Sequence, residues 1–171
     1  MATERLPSKD NENLIETYLE EEEIDSLVKA LSKEIEDTYE DDPDTPLVII
    51  GVLTGAVFLT CDLFRNIDRE KLLIDFVSSD SYGEDLESSG EPIVKSLLKT
   101  NIQGMHVLVV EDITDTGLTL QAVVDDLATL NPKTIRKCVL ISKPAKRKVD
   151  IDLDFVGITI SPPDAPWLEG Y

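Results

Sequence analysis

Five short runs of mostly apolar residues constrain the fold of this chain more than any other feature. They span residues 47–50, 72–77, 107–110, 137–141 and 155–160. Strands that are apolar on both faces are typical of parallel sheets covered by helices, whereas half-exposed strands alternate apolar and polar residues. The sequence therefore predicts an α/β fold with a mainly parallel central sheet flanked by helices.

Three segments between these runs have the apolar spacing of helices. The first begins near Glu20, repeats apolar residues at three- and four-residue steps as far as Tyr39, and ends in the turn Asp41–Pro46. The other two predicted helices span residues 56–66 and 119–130. Because they alternate with the apolar runs, they fit crossover connections between parallel strands.

The remaining segments predict the organisation of the domain. Residues 1–13 are polar and expected to be flexible, and residues 78–92 are rich in serine, glycine and acids, which is typical of a mobile lid loop. Residues 93–98 are predicted to form a return strand. No internal repeat is visible, so we expect one domain over residues 1–171.

The charge of the chain excludes broad classes of partner. The formal net charge is -19 over 171 residues, and residues 1–45 hold 16 of the 35 acids with 4 of the 16 bases. Such a surface repels nucleic acid and anionic membranes, so neither is an expected partner. A salt-rich cytoplasm is one open explanation of this acidity. An anionic ligand would need a local site with its own positive potential.

Cysteine content and the amino terminus favour a cytoplasmic protein. Cys61 and Cys138 lie in apolar stretches and are expected to be reduced thiols, although two cysteines could also pair. The first residues lack the apolar core of a secretory signal, and no run approaches the roughly 20 apolar residues of a membrane span. A single histidine and no Cys-x-x-Cys leave no zinc-type spacing.

The segment 107–120, VLVVEDITDTGLTL, joins a buried strand to a helix and is predicted to carry the functional site. Backbone N–H groups of a tight loop and a helix N-terminus bind anions, the hydroxyls of Thr116 and Thr119 add donors, and Gly117 permits close approach. No Walker A or Gly-x-Gly-x-x-Gly motif is present, which argues against a nucleotide triphosphatase or a dinucleotide enzyme. The loop suits a single phosphate monoester.

Three carboxylates beside this anion site have two interpretations. Glu111 and Asp112 suit sugar hydroxyls or hydrated magnesium, which prefers oxygen ligands. Alternatively, these residues and Asp115 cap the following helix, since Asp and Thr are common N-cap residues. The residues alone leave both interpretations open.

The segment VLVVEDITDTGLTL resembles the phosphoribosyl diphosphate (PRPP) signature of type I phosphoribosyltransferases, specifically of their hypoxanthine-guanine branch. Further segments resemble that family in the same order along the chain. They are Ile50–Ala56 with the pyrophosphate loop, Asp75-Phe76 with Ser81-Tyr82-Gly83, Ser142–Val149 with Asp154–Gly157, and Pro163-Asp164 with Trp167–Tyr171. The resemblance implies the type I phosphoribosyltransferase fold, with a small hood and a flexible lid over the parallel sheet.

The resemblance also implies roles for the residues of the signature. Asp115 would face the purine N7 as general base. Glu111 and Asp112 would hold the ribose hydroxyls, directly or through water and Mg²⁺. The 5′-phosphate would be bound by the loop and the first helical turn, namely Thr116, Gly117, Leu118 and Thr119.

Residues outside the signature receive roles in the same way. Lys143 would donate to the purine O6, Trp167 would stack on the purine, and the backbone carbonyl of Leu168 would contact it. Ser81 and Tyr82 would form the lid that excludes water. Leu53, Thr54 and Gly55 would form the pyrophosphate loop, with a cis peptide bond between Leu53 and Thr54.

The chain departs from the family pattern at three places. Thr54 stands where many members have lysine, and residues 162–167 hold one residue more than the usual spacing. The chain ends at Tyr171, before an aspartate and an arginine of the usual pattern, so its C-terminal end is shorter.

The implied function is purine salvage: transfer of the phosphoribosyl group from PRPP to N9 of hypoxanthine or guanine, giving IMP or GMP and pyrophosphate, with Mg²⁺ as cofactor. The expected partners are PRPP and a 6-oxopurine, and a homodimer or homotetramer is implied. Two alternatives are a phosphoribosyl-binding regulatory protein without turnover and a transferase of the same fold that prefers xanthine.

Overall fold

A computed structural model describes residues 18–78, 98–161 and 168. Within them, five strands form one sheet in the order β2-β1-β3-β4-β5, and all four pairings are parallel. The strands are β1 Leu47–Leu53, β2 Leu72–Ser78, β3 His106–Thr114, β4 Thr134–Ser142 and β5 Phe155–Thr159. The helices are α1 Glu21–Thr38, α2 Val57–Asn66 and α3 Leu118–Ala128, with a short 3₁₀ helix at Pro144–Lys146.

The central strands are buried on both faces because helices cover both sides of the sheet. Leu47 and Ile49 of β1 pack in a cluster with residues of α1 and α2. Val48 and Ile50 point the other way, into a second cluster with α3. Each face removes a separate set of apolar side chains from water, which explains why β1 has no polar alternation. The predicted parallel α/β architecture is confirmed.

Helix α1 begins where its sequence supplies a cap. Glu20 is the N-cap residue, and Glu23 closes a capping box by accepting a hydrogen bond from the Glu20 backbone N–H at 2.8 Å. Three glutamates in the first turn also interact favourably with the positive end of the helix. The buried face includes Val28, Leu31 and Ile35, as the three- and four-residue spacing predicts.

The strands extend beyond their apolar runs, and this corrects one predicted boundary. The run 107–110 continues as β3 to Thr114, so Glu111 and Asp112 lie within the strand rather than after it. Pairing with β4 sustains the extension, since Ile113 lies opposite Ile141 and Thr114 opposite Ser142. Backbone pairing continues here although the side chains become polar, which hydropathy cannot reveal. Residues 93–97 of the predicted return strand lie outside the described residues, so that strand stays a prediction.

Charged residues hold the opposite, amino-terminal edge of the sheet together. The buried His106 at the start of β3 contacts Asp42 through Nε2 at 2.9 Å and the Thr134 hydroxyl through Nδ1 at 2.7 Å. Lys133 also pairs with Asp42, and both contacts hold the pKa of that carboxyl well below its usual range. The edge therefore joins the α1–β1 turn to β3 and β4, far from the β3–α3 loop. Among the described residues, none of the helices has the length and apolar character needed to cross a bilayer.

Candidate active site

The candidate active site lies at the carboxyl ends of β1, β3 and β4. In parallel sheets the connections that leave these ends converge beside one another. Here they are the β1–α2 loop, the β3–α3 loop and the segment from Lys143 to Lys148. Two backbone hydrogen bonds tie the last two together: Lys143 N–H donates to Thr114 C=O at 3.0 Å, and Lys148 N–H donates to Thr116 C=O at 2.9 Å.

The β3–α3 loop has the conformation of an anion-binding turn. Gly117 is the N-cap residue of α3, with φ of +79° and ψ of -2°, in the left-handed region that suits glycine. The Thr116 hydroxyl accepts from Leu118 N–H at 3.4 Å. The amides of Thr119 and Leu120 in the first turn have no acceptor within the helix, so they are available to a ligand. The N-cap residue Gly117 has no side chain to cap α3, and the side-chain acceptor at the first turn is the Thr116 hydroxyl rather than a carboxylate.

Glu111 lies in β3 and is half-buried. Its carboxylate accepts a hydrogen bond from the Thr114 hydroxyl. Burial raises the pKa of Glu111 to about 7. The hydrogen bond from Thr114 acts against this rise, and the negative charge of Asp112 adds to it. A carboxyl of this kind changes charge readily near neutral pH, and a cation or hydrogen-bond donors from a ligand would stabilise its ionised form.

Asp112 lies against the β1–α2 loop. A Cβ atom at Gly55 would stand 2.8 Å from Asp112 Cγ, so only glycine allows the loop backbone this close to the carboxylate. The peptide bond between Leu53 and Thr54 is cis, as predicted. Thr54 and Gly55 are exposed to solvent at the end of β1, so their backbone can meet a ligand.

Asp115 lies between two lysines. Lys143 Nζ is 3.6 Å from its Oδ1 and Lys146 Nζ is 3.8 Å from its Oδ2. Lys143 is 2% exposed, and a buried ammonium requires a nearby anion or polar partners. Oδ1 of Asp115 is itself buried without a hydrogen-bond partner in the described part of the chain. The pair therefore places an acceptor and a donor side by side at one end of the site.

Some predicted site residues cannot be located. Ser81, Tyr82 and Trp167 lie outside the described residues, so their roles stay predictions. Leu168 is half-buried and packs against the core cluster of α1 and α2, while its predicted backbone contact with a purine stays untested.

Sequence reasoning missed the functional position of two basic residues, Lys146 and Arg147. Lys146 reaches Asp115, and Arg147 packs against Gly117. A signal was present, because residues 143–148 hold four bases in a chain of net charge -19. Their partners are far away in sequence, and spacing alone does not reveal such contacts.

The donor set fits Mg²⁺ shared with a ligand better than an ion held by protein alone. In residues 18–78, 98–161 and 168, no cluster of three or more His, Cys, Asp or Glu side chains could hold a metal. Glu111 and Asp112 are adjacent carboxylates, and Mg²⁺ commonly takes one or two carboxylates together with phosphate oxygens and water.

Comparison with known proteins agrees with this geometry. The family model described as a phosphoribosyl transferase domain matches residues 15–171. The chain therefore belongs to the phosphoribosyl transferase family. Among its relatives is the hypoxanthine-guanine phosphoribosyltransferase of Aquifex aeolicus, 40% identical over 92% of this chain and 85% of that protein. The enzyme of the same name from Bacillus subtilis is 40% identical over 90% of this chain and 81% of its own length.

A solved structure gives the same result for the fold. The crystal structure of a hypoxanthine-guanine phosphoribosyltransferase from Bacillus anthracis matches with a TM-score of 0.72 and 37% identity. The match covers 85% of this chain and 82% of that one. The type I phosphoribosyltransferase fold implied by the signature is thereby confirmed.

Proposed function

We propose that this protein is a purine salvage enzyme that transfers the 5-phosphoribosyl group of PRPP to N9 of hypoxanthine or guanine. The products are IMP or GMP and pyrophosphate. The observation that carries the proposal is the position of Asp115, between the anion-binding turn at Gly117 and the buried Lys143. The names of the relatives support the same reaction.

The acid–base chemistry follows from this placement. N7 and O6 lie on the same edge of a 6-oxopurine, so one ligand edge can face two adjacent side chains. Asp115 accepts the N7 proton while N9 attacks the anomeric carbon and pyrophosphate leaves. Lys143 donates to O6, and a lysine has donors only, so it does not match the amino group of adenine.

Glu111, Asp112 and the phosphate site act on different parts of the phosphoribosyl group. The helix N-terminus of α3 binds the 5′-phosphate, while Glu111 and Asp112 face the ribose hydroxyls. As pyrophosphate leaves, the sugar gains positive charge, and carboxylates held nearby stabilise it. Bound Mg²⁺ would neutralise charge on the diphosphate, with Glu111 and Asp112 as its protein ligands or as ligands of its water shell.

The pyrophosphate loop is part of the same proposal. Leu53, Thr54 and Gly55 would bind the leaving group through backbone donors, because the threonine supplies no positive charge. Ser81 and Tyr82 would close over the site, and Trp167 and Leu168 would contact the purine. The proposal includes a homodimer or homotetramer, which light scattering would measure. It also includes a cytoplasmic location, which the free thiols at Cys61 and Cys138 support.

One assay tests the reaction. The protein is incubated with PRPP and Mg²⁺ and, in separate reactions, hypoxanthine, guanine, xanthine, adenine or uracil, and nucleotide and pyrophosphate are quantified. We expect IMP and GMP, and no product from adenine or uracil. Absence of product from every base would overturn the proposal and favour a phosphoribosyl-binding protein without turnover. Faster transfer to xanthine than to hypoxanthine would correct the substrate.

A further inference from the structure

Arg147 occupies the space beside the anion-binding turn that a side chain at position 117 would need. Its Cδ and Nη1 atoms lie 3.0 Å and 3.1 Å from where a Cβ atom of Gly117 would stand. Arg147 and Gly117 are 30 residues apart in sequence, and the hydrogen bond from Lys148 N–H to Thr116 C=O brings their segments together. The guanidinium is therefore fixed against the backbone that the phosphate would touch.

The two terminal nitrogens of the Arg147 guanidinium differ in their hydrogen bonds. Nη2 donates to the Ser142 hydroxyl at 3.0 Å, which anchors the group to the end of β4. Nη1 is buried and has no hydrogen-bond partner within the described ranges. An unsatisfied buried donor of a charged group costs free energy, so its retention next to an anion-binding turn suggests use by the ligand-bound state.

The charges around the site also support a role for Arg147 in binding the ligand. Glu111, Asp112 and Asp115 place three acids beside a site for a phosphate, in a chain of net charge -19. Without a compensating cation this field would repel the ligand. Lys143 and Lys146 are near Asp115, whereas the side chain of Arg147 contacts the turn at Gly117.

We propose that Arg147 is a positioning residue for the sugar phosphate: it holds the turn at Gly117 in its binding conformation and supplies positive charge next to it. This inference rests on the proposed function, because it assigns the 5′-phosphate of PRPP to that turn. Arg147 acts on affinity for the phosphate rather than on proton transfer, which Asp115 performs at the other end of the site.

The test measures binding of ribose 5-phosphate by calorimetry to the full chain and to Arg147→Met, Arg147→Lys and Lys148→Met. Lys148 is exposed and adjacent, so its variant removes the same charge without the contact to Gly117. We expect Arg147→Met to weaken binding about tenfold, because the phosphate loses a nearby positive charge and the turn at Gly117 loses the side chain that packs against it. Arg147→Lys keeps the charge but not the planar fork and should weaken binding about threefold. Lys148→Met should stay within about twofold.

Steady-state kinetics separate positioning from general damage. KM for PRPP should rise in Arg147→Met by the same factor as the dissociation constant of ribose 5-phosphate, while kcat at saturating PRPP stays close to that of the unchanged protein. Thermal unfolding checks that each variant is folded; if Arg147→Met is not, Arg147→Lys carries the test. Unchanged binding in a folded Arg147 variant, or equal weakening in Lys148→Met, would overturn the inference.

The two proposals fail in different ways. If the unchanged protein binds ribose 5-phosphate but forms no nucleotide from any base, the proposed reaction fails and the binding comparison still tests Arg147. If the unchanged protein does not bind ribose 5-phosphate at all, the inference about Arg147 is wrong even where nucleotide forms.

Discussion

Single residues of the site show how burial changes the chemistry of a side chain. Glu111 and Asp112 are neighbours in β3, yet they meet different surroundings. The Glu111 carboxyl is enclosed beside the Thr114 hydroxyl, while the Asp112 carboxylate lies against the backbone of Gly55. Such a difference cannot be read from two adjacent acids in a sequence, because it depends on which elements pack over each face of the strand.

Replacing Glu111 with glutamine should stabilise the ligand-free protein at neutral and alkaline pH. The pKa of Glu111 rises from 4.5 to about 7 on folding, chiefly through burial, so the folded state binds this proton more tightly than the unfolded state. The contribution of Glu111 to the free energy of unfolding is therefore greatest below pH 4.5. It is lost as the pH rises towards 7, by an amount on the order of 3 kcal/mol. Glu111→Gln should recover about 1–3 kcal/mol at pH 8 and nothing at pH 4.

Urea unfolding at several pH values, without Mg²⁺, checks this. Glu70→Gln is the control, because Glu70 is exposed and its replacement changes the net charge by the same amount. A Glu111→Gln gain that is equal at pH 4 and pH 8 would contradict the explanation.

Asp115→Asn should separate chemistry from binding. Asparagine has nearly the same shape but cannot take the N7 proton, so kcat should fall by about a hundredfold or more. The dissociation constant of PRPP should change little, because the phosphate turn is unaltered. Asp125→Asn on α3 serves as the control with the same chemical change. Equal losses of kcat and PRPP affinity would contradict the assignment of Asp115 as general base.

At the scale of elements, the site is built from three connections rather than from one. The β3–α3 loop supplies the phosphate turn, the segment after β4 supplies the bases, and the β1–α2 loop supplies a backbone that lies against Asp112. The 3₁₀ helix Pro144–Lys146 sets the direction in which the bases point: Lys143 precedes it, Lys146 ends it, and Arg147 follows it.

Gly117→Ala should test how tightly two of these connections pack. The residue has a positive φ, and a Cβ atom would also stand 3.1 Å from Ile151 Cγ2 and 3.0 Å from Arg147 Cδ. We expect a loss of about 2–3 kcal/mol in the free energy of unfolding, together with weaker binding of ribose 5-phosphate.

Gly104→Ala is a matched control for this change. Gly104 has a φ of +72°, and nothing lies within 4 Å of the position its Cβ atom would take. Its replacement should therefore lower the free energy of unfolding by about 1–2 kcal/mol, which is the cost of a left-handed backbone conformation for alanine. It should have no effect on phosphate binding. Equal unfolding free energies for the two variants, measured in urea, would show that the contact with Arg147 is not tight.

At the scale of the whole molecule, the parallel sheet separates stability from function. Polar and charged residues at its amino edge, His106 with Asp42 and Lys133, connect the start of β3 to the turn after α1. The carboxyl edge holds groups of the candidate site whose partners are incomplete, such as Asp115 Oδ1 and Arg147 Nη1. A ligand bound at this edge can complete these partners.

The net charge of -19 should make folding stability depend on salt. Acidic residues repel one another more strongly in the compact state than in the unfolded chain, and salt screens that repulsion over a Debye length of about 10 Å at 0.1 M. The melting temperature should therefore rise by several degrees between about 10 mM and 500 mM NaCl. Sucrose at matched osmolality is the control for solvent exclusion, and a melting temperature that falls with NaCl would contradict this account.

Local sequence by itself determined the strand and helix order, the two buried faces of the sheet and the tight turn at Gly117. These depend on apolar spacing, caps and glycine, which act between residues close in the chain. The resemblance carried by VLVVEDITDTGLTL added the family and the cis bond after Leu53. Only the tertiary structure decided that Glu111 is half-buried beside Thr114, that Lys143 and Lys146 flank Asp115, and that Arg147 fills the space at Gly117. Those contacts join segments that follow different strands, and parallel pairing of β3 with β4 brings them together.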